Sequence, residues 1–402
     1  MVLHARHGAS AVIISLKPHS FALSVDDAHV VAWDRGGRLY SVWRDEVTWR
    51  RGLSGHVLEK RPDRGERVRR MLAHAEADEV VDDAAALALR MAAGMQSPAW
   101  SWTSAVDAVV AQEARALLSL AGAFGAEAAR ADAKRFAVVY SPVGILPPDQ
   151  YLALVVQATE GCSFNTCTFC DLYHEKFRAK SEDEFRRHLG GVLAYLGESV
   201  SLRSRGIFLG AANALVLPMA RLLPIFEVLL EEADAVRRGV SAFIDGFSGA
   251  RKTEADFRLL SHFGLRRVYV GLESGHDPLL AFVRKPGEAA AAVETVRAIR
   301  AAGVSAGVIV MTGLGGETYA EGHVRDTVGV LNAMGLGAGD LLYVSDLVDA
   351  PRAAYPLVAA AAGVRPLPPE VRAAQRAAIL AGLRFTGAPP QIASYDVREF
   401  VY

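Results

Sequence analysis

The chain has 402 residues, 51% of them hydrophobic, and a formal net charge of −1. That is enough apolar material for a large core and more than one domain, and the near-neutral balance gives no global pull toward nucleic acid or a membrane surface. Only three cysteines occur, too few for a disulfide framework, and all lie within Cys162–Cys170, which points to a reducing compartment.

The short apolar run Ala11–Leu16 is too brief for a signal peptide, and no uninterrupted apolar stretch reaches the ~18–20 residues of a membrane span. A cytoplasmic protein without membrane contact is expected. Residues 1 to about 62 read as β-rich: Ala11–Leu16, Val30–Asp34 and Arg38–Val42 are strand-like, with Arg35-Gly36-Gly37 as a hairpin turn. The spacing then turns helical, at Arg67–Ala75, Asp83–Ala93, Ala105–Gly122 and Ala126–Phe136. Residues 1–140 thus read as an N-terminal α+β domain. Ser141–Pro148, with Pro142, Pro147 and Pro148, reads as a linker.

From Tyr151 apolar runs alternate with amphipathic segments. Strands are predicted near Leu152–Ala158, Gly206–Ala211, Val240–Asp245, Arg267–Leu272, Val304–Met311 and Leu341–Val344. Helices are predicted near Ser181–Leu196, Pro218–Asp234, Thr253–Phe263, Glu288–Ala302 and Thr318–Met334. Ser181…Glu184, Thr253…Asp256 and Thr318…Glu321 have capping-box spacing or a close variant, and Gly264 and Gly303 stand where helices should stop. Strands joined by helix-length crossovers call for a parallel sheet or a (β/α) barrel, so residues 151–347 read as one α/β domain. Residues 348–402 form a C-terminal extension with a helix at Pro369–Leu383, expected to pack across the mouth or edge of that domain.

Gly161–Cys170 (GCSFNTCTFC) directly follows the first of these strands. Three thiolates in one loop can hold a metal centre. Three buried free cysteines fit poorly in a loop of Gly, Ser, Asn and Thr. A structural zinc site needs a fourth ligand, which His174 could supply. C-x4-C-x2-C is also the spacing of plant-type [2Fe–2S] ferredoxins, but these need a further cysteine that the chain lacks. A [4Fe–4S] cluster on three thiolates, with one iron left open, completes the set.

At this loop the chain resembles the radical S-adenosylmethionine (radical SAM) superfamily, whose three-cysteine loop follows the first strand and carries an aromatic residue before the third cysteine, here Phe169. Arg266–Gly275 resembles the family's fourth strand and Val308–Glu317 its fifth, and the resemblance covers about residues 151–347. Two features depart from the pattern. The first two cysteines are separated by four residues where three are usual, and the polar run after strand two is Gly210-Ala211-Ala212-Asn213. The resemblance implies a partial (β/α)6 barrel, a [4Fe–4S] cluster on Cys162, Cys167 and Cys170, and S-adenosyl-L-methionine as cofactor. It also implies a low-potential, flavodoxin- or ferredoxin-like electron donor and a 5′-deoxyadenosyl radical that takes hydrogen from a substrate. A small molecule is favoured over nucleic acid as that substrate.

By the same resemblance, Gly210 and Asn213 face the methionine amino group, Glu273 and Ser274 grip the methionine or ribose, and backbone at Phe169 and Met311 flanks the adenine. Lys285 is placed to neutralise the methionine carboxylate, or else is a solvated surface lysine. The strand ends Glu160, Asn213, Asp245, Glu273, Thr312 and Asp346 are polar, as for a pocket floor, with two or three of the carboxylates expected to be paired with arginines or to cap helices. Gly313, Gly315 and Gly316 lack the P-loop Lys-Ser/Thr, so close backbone approach to adenine or ribose is expected there instead of a phosphate cradle.

With every cysteine used, no auxiliary cluster is available. Two alternatives stand beside this reading. One is a zinc- or cluster-stabilised non-catalytic binding or regulatory protein on a degenerate barrel, for which Ala211-Ala212 is the argument. The other is a cobalamin-dependent radical SAM methyltransferase, with Asp27-Ala28-His29-Val30-Val31-Ala32 as an imperfect corrin-binding signature. The N-terminal domain could recognise substrate, cover the site or bind a partner. Its Trp43–Arg51 stretch reads as a sheet face in preference to an RNA contact.

Overall fold

The computed structural model describes the chain apart from residues 64–65, 174, 247–250, 349 and 351 and the side chain of residue 66. It divides into two compact units, one of Met1–Ser141, Gly190–Ser204 and Arg398–Tyr402, the other of Pro142–Leu189 and Arg205–Val397.

In the first unit β1 (Val2–His7), β2 (Ser10–Leu16), β3 (Ser20–Val25), β4 (His29–Asp34), β5 (Leu39–Arg44), β6 (Val47–Arg51), β7 (Val57–Asp63) and β8 (Glu66–Met71) form an antiparallel meander, and β9 (Trp100–Trp102) joins beside β1. Alternation along the strands sends one face inward, because successive side chains point to opposite sides. Leu3, Ile14, Leu23, Val31 and Trp33 pack there against Val81 and Ala88 of α1 (His74–Gly94) and Leu118 of α2 (Ala108–Gly122). The third helix is α3 (Ala126–Val139).

The three predicted strands and the Arg35–Gly37 hairpin fall on β2, β4 and β5. The helix expected at Arg67–Ala75 is instead strand β8, whose residues pair with β7 from Glu66 to Met71. The Asp27–Ala32 signature lies on the β3–β4 hairpin of this antiparallel sheet, so its surroundings are not the βαβ unit of a corrin-binding domain. Trp49 is half-buried against the core and donates Nε1–H to Glu59 at 3.1 Å, which gives the Trp43–Arg51 stretch a structural role.

The second unit is a seven-stranded parallel sheet in the order β10-β13-β14-β15-β16-β17-β18. Its strands are β10 (Leu154–Gln157), β13 (Ile207–Gly210), β14 (Val240–Ile244), β15 (Leu265–Glu273), β16 (Ser305–Thr312), β17 (Leu341–Asp346) and β18 (Gln391–Ser394). A two-residue pair, β11 (Thr159–Glu160) with β12 (Arg178–Ala179), lies outside it. Helices α4 (Glu182–Leu196), α5 (Met219–Glu232), α6 (Glu254–His262), α7 (Asp277–Phe282), α8 (Ala289–Ala301) and α9 (Gly316–Met334) fall between the strands, and α10 (Tyr355–Ala361) and α11 (Pro369–Ala381) follow β17.

All six predicted strands are present, but among the described residues the edge strands do not meet and the sheet is open. The seventh strand comes from the tail. Ser181–Glu184 and Thr253–Asp256 form reciprocal caps. The third expected box is absent, because α9 starts two residues early, from Gly315 in a left-handed conformation. No helix among the described residues is long and apolar enough to cross a membrane.

Aromatic rings fill the interior behind the sheet. Phe208, Phe243 and Tyr269 pack with centroids 5.2–6.1 Å apart. Toward the amino ends of the strands, Asp149 takes hydrogen bonds from Arg267 (3.0 Å), Tyr269 (2.5 Å), Tyr343 (2.8 Å) and Gln150 (2.9 Å).

Candidate functional site

The three cysteines line a single cavity at the carboxyl end of the parallel strands, where ligand sites of α/β sheets form. Gly161 opens their loop at φ +67°, and a Cβ there would stand 2.4 Å from the Glu175 carbonyl oxygen, so the turn requires glycine. The loop is then held from two sides. Thr168 donates its N–H and hydroxyl to the Val283 carbonyl (2.9 and 3.3 Å), and the Thr166 hydroxyl donates to the Arg284 carbonyl (3.1 Å). From the tail, the Tyr355 N–H donates to the Thr168 carbonyl at 2.8 Å. Phe169 packs into a small core with Leu279, Val283, Leu314 and Tyr355.

Burial pushes the Cys167 thiol up to about 11 and raises that of Cys170 as well. Both are therefore protonated until a metal displaces their protons. Among the described residues no three His, Cys, Asp or Glu side chains converge closely enough to hold a single ion. His174, the fourth ligand of the zinc reading, lies outside the described residues. A cluster needs no such convergence, since each cysteine binds a different iron around a cage. Three soft donors on one cavity fit that donor set.

Lys285 sits beside the thiols. Burial opposes its charge, but Glu273, Cys167, Asp245 and Cys162 hold it above the ordinary lysine range. Its Nζ lies 3.6 Å from Glu273 Oε1, and both side chains are largely buried, so Lys285 is not a solvated surface lysine. Burial raises the Glu273 carboxyl, with Lys285 opposing. A shift of register between β15 and β16 at Gly271–Glu273, with Glu273 at φ +60°, turns this side chain into the cavity. Gly271 is part of that device, because a Cβ there would come 2.7 Å from Glu273 Oε1. At the end of β13, Asn213 donates to Ser163 of the cysteine loop at 3.0 Å and to Asp245 beyond β14.

Cys162, Cys167, Cys170, Phe169, Asn213, Glu273, Lys285 and Met311 are thus brought to one cavity, while Gly210 and Ser274 are not on its lining. Ser274 is fully buried, its hydroxyl 2.7 Å from His323 Nδ1 and accepting the His276 N–H at 3.0 Å. Burial pushes His323 down to about 4. Glu160 also faces away, held at about 2 by hydrogen bonds from Arg178 and by Lys180, the fate expected for some of the strand-end carboxylates.

The glycine-rich turn after β16 departs from expectation. Its Gly313 N–H is taken by Gln375 Oε1 and its Gly315 N–H by the Tyr355 hydroxyl, each at 2.8 Å. A Cβ on Gly315 or Gly316 would strike Leu279 at 2.5 Å or the Arg365 carbonyl at 2.0 Å. These glycines accommodate the chain's own neighbours, and none lines the cavity. Conversely, Tyr173, Phe243 and Tyr395 do line it and were not singled out in the sequence. Gln391–Tyr395 shows no clean alternation, so the last of these carried no strand signal.

The family model of the radical SAM superfamily matches residues 156–328, which supports membership of that superfamily. No curated protein matches the chain significantly. Similar solved structures include the cobalamin-dependent S-adenosylmethionine radical enzyme OxsB (16% identity, TM-score 0.38, 57% of this chain and 31% of that one). They also include the radical S-adenosylmethionine methyltransferase TsrM from Kitasatospora setae (16%, 0.37, 48% and 34%). A third is coproporphyrinogen III oxidase HemN from Escherichia coli (16%, 0.41, 62% and 54%). The chain spans about a third of the length of the first of these structures.

Proposed function

We propose that this protein is a radical SAM enzyme in which Cys162, Cys167 and Cys170 hold a [4Fe–4S] cluster beside bound S-adenosylmethionine. The observation that carries this is the meeting of three thiols with the buried Lys285–Glu273 pair on one cavity inside the family-matched segment. When bound, the cluster and S-adenosylmethionine supply one-electron reductive cleavage that yields a 5′-deoxyadenosyl radical.

The chain's own part is chelation, orientation and exclusion of water. Lys285 would offset the methionine carboxylate and Glu273 would accept from the amino or ribose hydroxyl groups, both strengthened by a low local dielectric. Backbone at Phe169 and Met311 would flank the adenine, and Asn213 ties the cysteine loop to the strand ends. The electron comes from a flavodoxin- or ferredoxin-like donor in a reducing cytoplasm, and a small molecule is the substrate.

Anaerobic reconstitution with iron and sulfide tests the reading. It should give a brown protein with about four irons per chain that releases 5′-deoxyadenosine from S-adenosylmethionine under dithionite. Colourless protein with stoichiometric zinc, or no S-adenosylmethionine binding, sinks it in favour of a non-catalytic role.

A further inference from the structure

A carbon radical formed in this cavity can be quenched by gaining a hydrogen atom, and the chain's three cysteines are all on the cluster loop, so no thiol remains to give one. Among the described lining residues the phenols of Tyr173 and Tyr395 are the other side chains with an oxidisable O–H bond. Tyr173 lies toward the cluster loop, where Cys170 and Cys162 add to the effect of burial on its phenol. Tyr395 follows β18 and is only 4% exposed, and Glu273 is among the groups acting on it.

The hydroxyl of Tyr395 donates to the Leu146 carbonyl at 2.9 Å. A carbonyl is no base, so Leu146 does not take this hydrogen as a proton, and burial further opposes a phenolate. It can leave as an atom, together with its electron. Tyr343 packs beside it, ring centroids 5.6 Å apart, so the oxidised ring would be shielded by protein on that side.

We propose that Tyr395 is a hydrogen-atom donor to carbon radicals generated in this cavity, an assignment that rests on the function proposed above. The phenolic O–H breaks homolytically as a new C–H bond forms on the radical carbon. This runs downhill because an alkyl C–H bond is stronger than a phenol O–H bond. The carbon radical is reduced and Tyr395 becomes a neutral phenoxyl radical. One electron from a low-potential reductant and one proton from water restore it.

The test needs no substrate. Reconstituted protein exchanged into D2O is given S-adenosylmethionine and dithionite in thiol-free buffer, and the 5′-deoxyadenosine is weighed by mass spectrometry. Transfer from Tyr395 O–D puts one deuterium into the product, whereas abstraction from protein or buffer carbon leaves it unlabelled. The labelled fraction should fall about tenfold in Tyr395→Phe loaded to wild-type iron content, and persist in Tyr343→Phe.

Samples frozen during turnover should show a tyrosyl radical by electron paramagnetic resonance, narrowed by ring-deuterated tyrosine in the wild type and lost in Tyr395→Phe. Absence of 5′-deoxyadenosine removes the function proposed above. Unlabelled 5′-deoxyadenosine, a label that survives Tyr395→Phe, or a label lost instead with Tyr173 or Tyr343 removes this assignment alone.

Discussion

Strand β15 carries a carboxylate site at each end, and the two are built on opposite terms. Near its amino end, Asp149 is saturated by four donors, among them Arg267 and Tyr269 of the strand itself. At its carboxyl end, Glu273 has, among the described residues, one cation at 3.6 Å and keeps most of its accepting capacity. Both remove charge from water. Only the first recovers the cost within the chain, because a buried charge is stabilised chiefly by the hydrogen bonds that surround it. Saturation marks a structural lock, and spare capacity beside thiols marks a place for a ligand.

That contrast predicts a division of effects. The largest is at the thiols: Cys167→Ala should take iron in the reconstituted protein from about four per chain to near zero, with little change in the unfolding midpoint of the iron-free chain. Iron retained in that variant would show the ligands are misassigned. At the lock the pattern reverses. Asp149→Ala leaves Arg267 and two phenols without their acceptor and should cost about 2–4 kcal/mol in urea unfolding, with iron content per folded chain unchanged.

Next in size is a pH effect from His323. Its folded value of about 4 lies below the unfolded value of 6.5, so the unfolded chain takes up a proton in that window and the folded chain does not. Stability present above pH 6.5 should therefore drain away as the pH falls toward 4, by roughly 2–3 kcal/mol, and His323→Asn should flatten that slope in urea titrations. The smallest energy is at Glu273. Glu273→Gln should weaken S-adenosylmethionine binding by about tenfold, or about 1.4 kcal/mol, in calorimetric titration, while global stability shifts by less than about 0.5 kcal/mol. A large stability loss there would erase the distinction between the two ends.

The frame of the second unit was legible because buried parallel strands are written as continuous apolar runs, as in Val240–Ile244, every residue of which is buried. Strand β18 escaped notice because Gln391–Ser394 is short and mostly exposed at an edge. The cysteines, Phe169, Asn213, Glu273 and Lys285 were legible through motif and strand-end position. Ser274 was misplaced because the register shift at Gly271–Glu273 cannot be read from residue order, and it leaves Ser274 facing His323. The Gly313–Gly316 turn was misread for a different reason. Glycines needed for a ligand and glycines needed for a neighbouring side chain look alike until Gln375 and Tyr355 are seen occupying the N–H groups.

Tyr355 has a consequence for modularity. Its backbone grips the cysteine loop at Thr168 while its hydroxyl grips the turn at Gly315, so one residue of the tail fastens the cysteine loop to the turn after β16. The family-model match ends at residue 328, before this clamp begins. The matched segment therefore carries the three thiols, and a residue outside it adds to the contacts that hold their loop. A graft of residues 156–328 onto another scaffold would carry the thiols and their contacts to Val283 and Arg284 but leave the Tyr355 contact behind.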